Sequence, residues 1–274
     1  IVHLSNGESI QTRLLVGADG YNSPVRHFAG ISSRGWMYNR FGVVATVKAA
    51  DDDFRNVAWQ RFLTTGPLAI LPLTEENRTI VWSSTPELSE ILLKCDSEIF
   101  PELVTAAMVL AEIDLNFIYS NLKINPSDRS VLEDIKWRME RCDPQRLEEE
   151  FPVPIVEVLE GSRARFPLKM SHADTYTGNR TALIGDAAHT VHPLAGQGLN
   201  MGQGDVAALV DALEKGVNRG LDIGTPLVLE PYTLNQWPPN HVLIGVCGKF
   251  HKLFSSDWEP LVVLRGTGMK SMNM

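Results

Sequence analysis

The sequence predicts an α/β fold: an α/β layer divided between two parts of the chain, with an antiparallel β-sheet inserted between them. Three observations carry this. Residues 9–18 (SIQTRLLVGA) end in an apolar run that meets Asp19-Gly20, as a strand does where it enters a turn at the edge of an α/β layer. Four strand-like segments then follow one another with no helix between them, which implies antiparallel pairing and not βαβ units. Finally, Thr181 to Gly185 (TALIG) reads as a short buried strand that leads through a Gly-rich loop into an amphipathic helix.

The elements follow in order. Ile1-Val-His-Leu4, a polar turn Ser5-Asn-Gly-Glu8, and Ser9 to Val16 read as strand, turn, strand. Phe41 to Lys48 (FGVVATVK) is β-branched and apolar, and Val57 to Leu63 (VAWQRFL) alternates. Leu68 to Leu73 and Thr79 to Ser83 are separated by Thr74-Glu-Glu-Asn-Arg78, a polar hairpin loop. Residues 86–118 read mostly as helix, and residues 128–150 as a charged helical stretch broken by Pro144, whose interleaved acids and bases mark a solvated face. Phe151-Pro-Val-Pro154 is a loop, and residues 155–168 are one more strand. Beyond Thr181–Gly185, Val206, Leu209, Val210 and Leu213 recur at helical spacing, and Gly216 is a candidate stop. Residues 1–35 and 160–235 therefore form the α/β layer, 36–159 the inserted sheet domain, and 236–274 a C-terminal helical segment.

Composition narrows the function classes. Apolar residues make up 44% of the 274 and charged residues 21%, the balance of an ordinary globular chain. The net charge of −8 argues against a nucleic-acid partner, which needs a basic surface to displace counterions. Cys95, Cys142 and Cys247 are odd in number and widely spaced, so they read as reduced thiols, without a disulfide framework or a zinc site. No signal peptide or apolar span of membrane length is present.

The chemistry concentrates in ALIGDAAHTVHPLAGQGLNMGQGD, residues 182–205. Asp186 stands just past a buried strand, and in open α/β sheets ligands bind at the carboxyl ends of strands. A carboxylate there can accept hydrogen bonds from sugar hydroxyls, and Gly185 permits close backbone approach. Pro193 to Asn200 is a Gly-rich loop that opens a helix, whose free N–H groups favour negative charge. Gly-Gln-Gly alone is most simply a structural turn; the whole run, from Gly-Asp through Pro to the helix, is a ligand loop. His189 and His192 form an HxxH with no third ligand in the motif, so packing or a hydrogen bond is favoured over a metal.

This run resembles the GD motif of the para-hydroxybenzoate-hydroxylase-type FAD-dependent monooxygenases, and Leu14 to Arg26 (LLVGADGYNSPVR) resembles the DG motif of the same family. The segments Ala58–Phe62 (AWQRF), Gly66–Leu73 (GPLAILPL), Val81–Ser83 (VWS) and Arg165–Leu168 (RFPL) are similar to its ubiquinone-biosynthesis branch. The resemblance covers residues 10–85 and 160–265. It implies an incomplete Rossmann-like FAD-binding domain of the GR2 type, without its first βαβ unit, carrying an inserted antiparallel β-sheet substrate domain. Within it, Asp19, Gly20 and Arg26 would serve the DG motif. Gly185, Asp186 and His189 would serve the GD turn, and Pro193, Gly196, Gln197, Gly198, Leu199 and Asn200 its helix-opening loop.

It further implies hydroxylation of the aromatic ring of a polyprenyl-hydroxybenzoate-type precursor of ubiquinone (coenzyme Q). Electrons would come from ferredoxin and its reductase or from NAD(P)H. The setting would be the coenzyme Q biosynthetic complex, on the matrix side of the mitochondrial inner membrane, with peripheral membrane contact. Trp59, Phe62, Leu71 and Trp82 are candidates to line a substrate wall, although strand alternation turns some of them away from it, and Arg61 either favours a phenolate or is a surface arginine. No residue is nominated as a protein acid or base. The family's opening GxGxxG, which cradles the ADP pyrophosphate, stands nowhere in the chain. A truncated, catalytically incomplete form and the same chemistry on another aromatic substrate are therefore the alternatives. Leu243, Val246, Phe250, Leu253 and Phe254, beside Lys249, His251 and Lys252, read as core packing of a terminal helix or as a membrane-surface stripe.

Overall fold

The computed structural model describes residues 1–50, 55–193, 196–254, 256 and 258–272. In chain order the elements are β1 (Val2–His3), β2 (Ser9–Ile10), β3 (Leu15–Gly17), α1 (Pro24–Phe28), β4 (Ser33–Ala49), β5 (Trp59–Leu63), β6 (Gly66–Pro72), β7 (Asn77–Ser84), α2 (Pro86–Lys94), α3 (Ile99–Val109), α4 (Glu112–Ile124), α5 (Ser130–Met139) and α6 (Pro144–Glu150). They continue with β8 (Ile155–Val158), β9 (Ala164–Ala173), β10 (Thr177–Gly178), β11 (Thr181–Leu183), β12 (His189–Thr190), α7 (Gln197–Asn218), α8 (Pro226–Phe254) and α9 (Glu259–Met272). They form two compact units, Ile1–Tyr38 with Lys169–Phe250 and Asn39–Leu168 with His251–Met274.

In the first unit, β3 and β11 run parallel with Leu15 opposite Thr181 and Gly17 opposite Leu183, and β10 closes the sheet antiparallel to β11. The expected single strand Ser9–Val16 is two. Thr12 Oγ1 donates to the Leu14 carbonyl at 2.8 Å, and this turn sends β2 into a hairpin with β1 while β3 enters the parallel sheet. Ala182, Leu183, Ala187, Leu209, Tyr176, Leu229 and Tyr232 form the core.

Helix α7 buries Met201, Asp205, Leu209, Ala212 and Gly216. The expected stripe is thus rotated: Leu209 faces the core, whereas Val206 and Val210 lie on the open face. Gly216 does not stop the helix. Its missing Cβ lets Val228 of α8 approach, and the stop is Gly220, at φ +72°. The N–H groups of Gly220 and Leu221 donate to the Val217 and Gly216 carbonyls, the paired pattern that closes a helix on a left-handed residue.

In the second unit, the predicted antiparallel sheet is present. β4 pairs β7 from Phe41 opposite Ser84 to Lys48 opposite Asn77, β7 pairs β6, and β6 pairs β5. The single strand expected at 155–168 is two, β8 and β9, with β8 antiparallel to β4. Inward residues Val43, Val47, Leu68, Ile80 and Trp82 pack on Leu92, Phe100, Leu103 and Ile118 of α2, α3 and α4. Pro144 opens α6, where its missing N–H costs no helical bond, behind an Asp143 cap.

Candidate cofactor cleft

The cleft is built where β3 and β11 end. Because the two strands are parallel and in register, both motifs leave the sheet at the same edge, with Asp19 two residues beyond β3 and Asp186 three beyond β11. Gly20 takes φ +82° and Gly185 φ +58°, and a Cβ at either would meet nothing within 4 Å, so both turns leave open space beside the backbone. Gly17 is close-packed instead, since a Cβ there would lie 2.9 Å from Leu183 and Val25.

Asp19 and Arg26 hold the first turn. The Val25 N–H donates to Asp19 Oδ2 at 3.0 Å, and Ser23 caps α1 by accepting from the Arg26 N–H at 2.9 Å. Partial burial raises the Asp19 carboxyl, but bonds from Ser23 and the Val25 N–H, with the Arg26 charge, outweigh it and hold the group below its ordinary value. The Arg26 guanidinium donates to the carbonyls of Tyr21 and Ala187, each at 2.7 Å, so one side chain ties the two motifs together.

Gly185, Asp186, Gly198, Leu199, Gly202, Gln203 and Val206 line an open cleft of about 460 Å³. Asp186 is exposed in it. Burial lowers the ammonium of Lys169, which sits over the Tyr21 ring, while the Asp186 charge opposes that shift. Gly196 (φ +60°) precedes α7, whose first turn contains Gln197, Gly198, Leu199 and Asn200 and no acidic residue, leaving the positive end of the helix uncancelled. The Asn200 amide donates to Gln197 Oε1 at 3.3 Å. Pro193 lies just before this turn; Leu194 and Ala195 of the predicted loop lie outside the described residues.

His189 stands behind the cleft, buried, with Nε2 2.6 Å from Asp205 Oδ2. His192 is buried in an edge-on contact with Tyr38, ring centroids 4.8 Å apart. Among the described residues no group of three metal-ligating side chains occurs. Sequence reasoning missed Asp205 and its neighbours Tyr176, His172 and Asn240. The signal was present: Asp205 lies four residues from both Met201 and Leu209, on the buried face of α7.

The four nominated wall residues and Arg61 belong to the second unit, and strand alternation divides them. In cross-strand register Trp59 meets Ile70, and Arg61 meets Leu68, which meets Trp82. These rows face the helices. Trp82 is fully buried, Trp59 packs on the same core, and Arg61 donates to the Ala107 and Leu110 carbonyls at 3.0 and 2.7 Å, at the C-terminal end of α3. That is a correction for Trp59 and Trp82, which pack into the core instead of a wall, and for Arg61, expected beside a phenolate or at the surface, which holds a helix end. Phe62 and Leu71 lie on the opposite face; Phe62 stacks on Phe254 at 4.1 Å, and Leu71 is part-exposed.

In the predicted terminal stripe, Leu243 packs beside Met170, Met201 and Ile244 in the first unit, and Phe254 is buried in the second. Val246 and Phe250 are exposed, and the side chain of His251 lies outside what is described. Among the described residues no helix is long and apolar enough to cross a membrane.

Comparison with known proteins agrees with this geometry. The chain is 51% identical over 279 residues to the Saccharomyces cerevisiae ubiquinone biosynthesis monooxygenase COQ6, mitochondrial, and spans 58% of its length. The human protein of the same name is 37% identical over 272 residues, covering 99% of this chain and 56% of its own. Among solved structures, Pseudomonas aeruginosa PqsL in complex with 2-aminobenzoylacetate matches with a TM-score of 0.65 at 19% identity, over 96% of this chain and 61% of that one. The Diels-Alderase PyrE3 matches with a TM-score of 0.62 at 19% identity, over 99% and 49%. These two likenesses concern the fold. The model of the FAD binding domain family matches residues 2–221, which include both strand-end aspartates and the cleft, and the chain belongs to that family.

Proposed function

We propose that this chain forms the part of an FAD-dependent monooxygenase that holds the flavin's ribityl chain and ring, acting on the aromatic ring of a polyprenyl-hydroxybenzoate-type precursor in ubiquinone biosynthesis. The supporting observation is the placement of Asp19 and Asp186 beyond the carboxyl ends of two neighbouring parallel strands, above a cleft edged by glycines. The residues fit the group. Gly185, Gly198 and Gly202 leave room for a flat ring system, Asp186 presents acceptors to hydroxyls, and the α7 N-terminus presents N–H groups.

Bound, the flavin supplies the activation of oxygen. The chain's own part is binding and electrostatics. Asp186 accepts hydrogen bonds from the polyol. The first turn of α7, with no acid to cancel its dipole, stabilises negative charge on the ring. Arg26 keeps the two turns at a fixed separation by spending its donors on Tyr21 and Ala187.

The names of the curated relatives support the pathway and a mitochondrial location. In this reading, electrons arrive from ferredoxin and its reductase or from NAD(P)H, and the protein works beside the coenzyme Q biosynthetic complex at the matrix face of the inner membrane. Val246 and Phe250 of α8, beside the exposed Lys249, support a peripheral membrane contact.

A second reading keeps the chemistry and places it on another aromatic ring, because the relatives' names give a pathway and no ring. Titration of the purified chain with FAD, followed by hydroxylation of a short-chain prenyl-hydroxybenzoate by mass spectrometry, tests both. A perturbed bound-flavin spectrum supports the cleft as the flavin site, and product from the prenyl-hydroxybenzoate favours the first reading over the second; an unperturbed spectrum at high FAD overturns the reading of the cleft.

A further inference from the structure

We propose that Asp205 is the positioning residue of the cleft: a buried carboxylate that staples both ends of the Gly185–His189 turn and so sets the direction in which Asp186 projects. The proposal rests on the reading that FAD occupies the cleft. The observation behind it is a charge in an unexpected place. Asp205 is fully buried on the inward face of α7, between Met201 and Leu209, where an apolar residue would ordinarily pack.

A carboxylate is retained in such a place only when its oxygens are met by donors. Three donors meet this one. The Gly185 N–H reaches Oδ2 at 2.9 Å and His189 Nε2 reaches the same oxygen at 2.6 Å, while the Asn240 amide reaches Oδ1 at 3.1 Å. The two donors on Oδ2 are the two ends of the turn that contains Asp186. Gly185 takes a left-handed conformation, and the bond from its N–H holds it there.

Asn240 is fixed in turn from behind. Its amide also donates to the Tyr176 hydroxyl at 3.2 Å, and that hydroxyl lies 2.8 Å from His172 Nε2. Helix α8 thereby orients the carboxylate through Asn240, and the carboxylate orients the turn. Nε2 of His189 can meet a carboxylate only as an N–H, which leaves Nδ1 buried without a hydrogen-bond partner among the described residues. Among the described residues the ring therefore donates its hydrogen bond to Asp205, and through it ties the far end of the turn to α7.

The test compares Asp205→Leu and Asp205→Asn in the 274-residue chain by amide hydrogen exchange and by FAD titration. Leucine removes both acceptors. We expect faster exchange across residues 185–190 with β11 and the core of α7 still protected, and FAD binding weakened about tenfold or more. Asparagine keeps one oxygen for Gly185 and His189 once Asn240 turns its amide over, so it recovers most of the protection and affinity. Should Asp205→Leu fail to fold, His189→Phe and His189→Gln provide the same comparison, because glutamine returns an N–H near the position of Nε2.

Unchanged exchange at 185–190 in Asp205→Leu or His189→Phe overturns the proposal, as does protection lost evenly across the first unit. A glutamine at 189 that behaves like phenylalanine also overturns it. If the unsubstituted chain binds no FAD, the reading of the cleft fails, while the exchange measurement still decides whether Asp205 holds the turn.

Discussion

Arg26 and Ala187, 161 positions apart, are joined by a guanidinium–carbonyl hydrogen bond of 2.7 Å, and the same guanidinium holds the Tyr21 carbonyl on its other nitrogen. A planar cation with two diverging donors is suited to bridging two carbonyls in this way; an ammonium on a flexible stem is not. Arg26→Ala is expected to cost on the order of 2–3 kcal/mol of stability, the scale of hydrogen bonds made by a charged donor. Arg26→Lys should recover little of it. Urea melts of the two variants check this, and full recovery by lysine would remove the bridging role.

Asp186 predicts the opposite profile. Its side chain is exposed and faces the cleft, so replacement leaves the core intact. Asp186→Ala should keep the melting midpoint, since exposed substitutions stay within about 0.5 kcal/mol. FAD affinity should fall by about tenfold or more, a loss of ~1.4 kcal/mol or greater. Flavin fluorescence titration with a parallel thermal melt measures both quantities. A large fall in midpoint with unchanged affinity would make Asp186 a folding residue.

Much of this cleft was legible in the sequence, because a strand-end Asp-Gly and a Gly-Asp followed by a Gly-rich helix start are local patterns with local causes. Strand existence and antiparallel pairing were legible for the same reason. What failed depended on partners distant in sequence. Val206 and Val210 look like core by spacing, but α7 turns Asp205 inward, because Gly185, His189 and Asn240 supply its donors. Gly216 looks like a helix stop, but it is a contact point for α8. Trp59 and Trp82 look like a substrate wall and Arg61 like a phenolate partner or a surface residue, but the register with β6 places all three on the helix-covered face.

His172 predicts a pH dependence. Burial, with His241 facing it at 3.2 Å between the Nδ1 atoms, lowers the imidazole from 6.5 to about 4; His189 adds to the shift, and Asp174 and Asp205 oppose it. The folded state therefore holds His172 neutral where the unfolded chain would protonate it. The resulting stability is present above pH 6.5 and is lost as pH falls through about 4. An NMR titration of the His172 ring, with melts at intervals from pH 7 to pH 4, tests the shift. A ring that titrates near 6.5 in the folded protein would exclude it.

Gly216 and Val228 predict a coupling between α7 and α8. A Cβ at Gly216 would lie 2.6 Å from Val228 Cγ1 and 2.9 Å from Cγ2, and Val228 is itself buried and β-branched, with little rotamer freedom to yield. Gly216→Ala gains about 1 kcal/mol in helix propensity, against about 1–3 kcal/mol for overpacking, so the net effect should be a loss. At Gly220 a Cβ meets open space but φ is +72°, so Gly220→Ala should cost about 1 kcal/mol through backbone strain alone. The two mechanisms separate in a double-mutant cycle with Val228→Ala. Removing the valine methyls relieves the clash at 216, so that pair should be less destabilised than the sum of its single changes, whereas Gly220→Ala and Val228→Ala should simply add. Strict additivity at 216 would show that the helices move apart freely and that the close approach is not what glycine provides there.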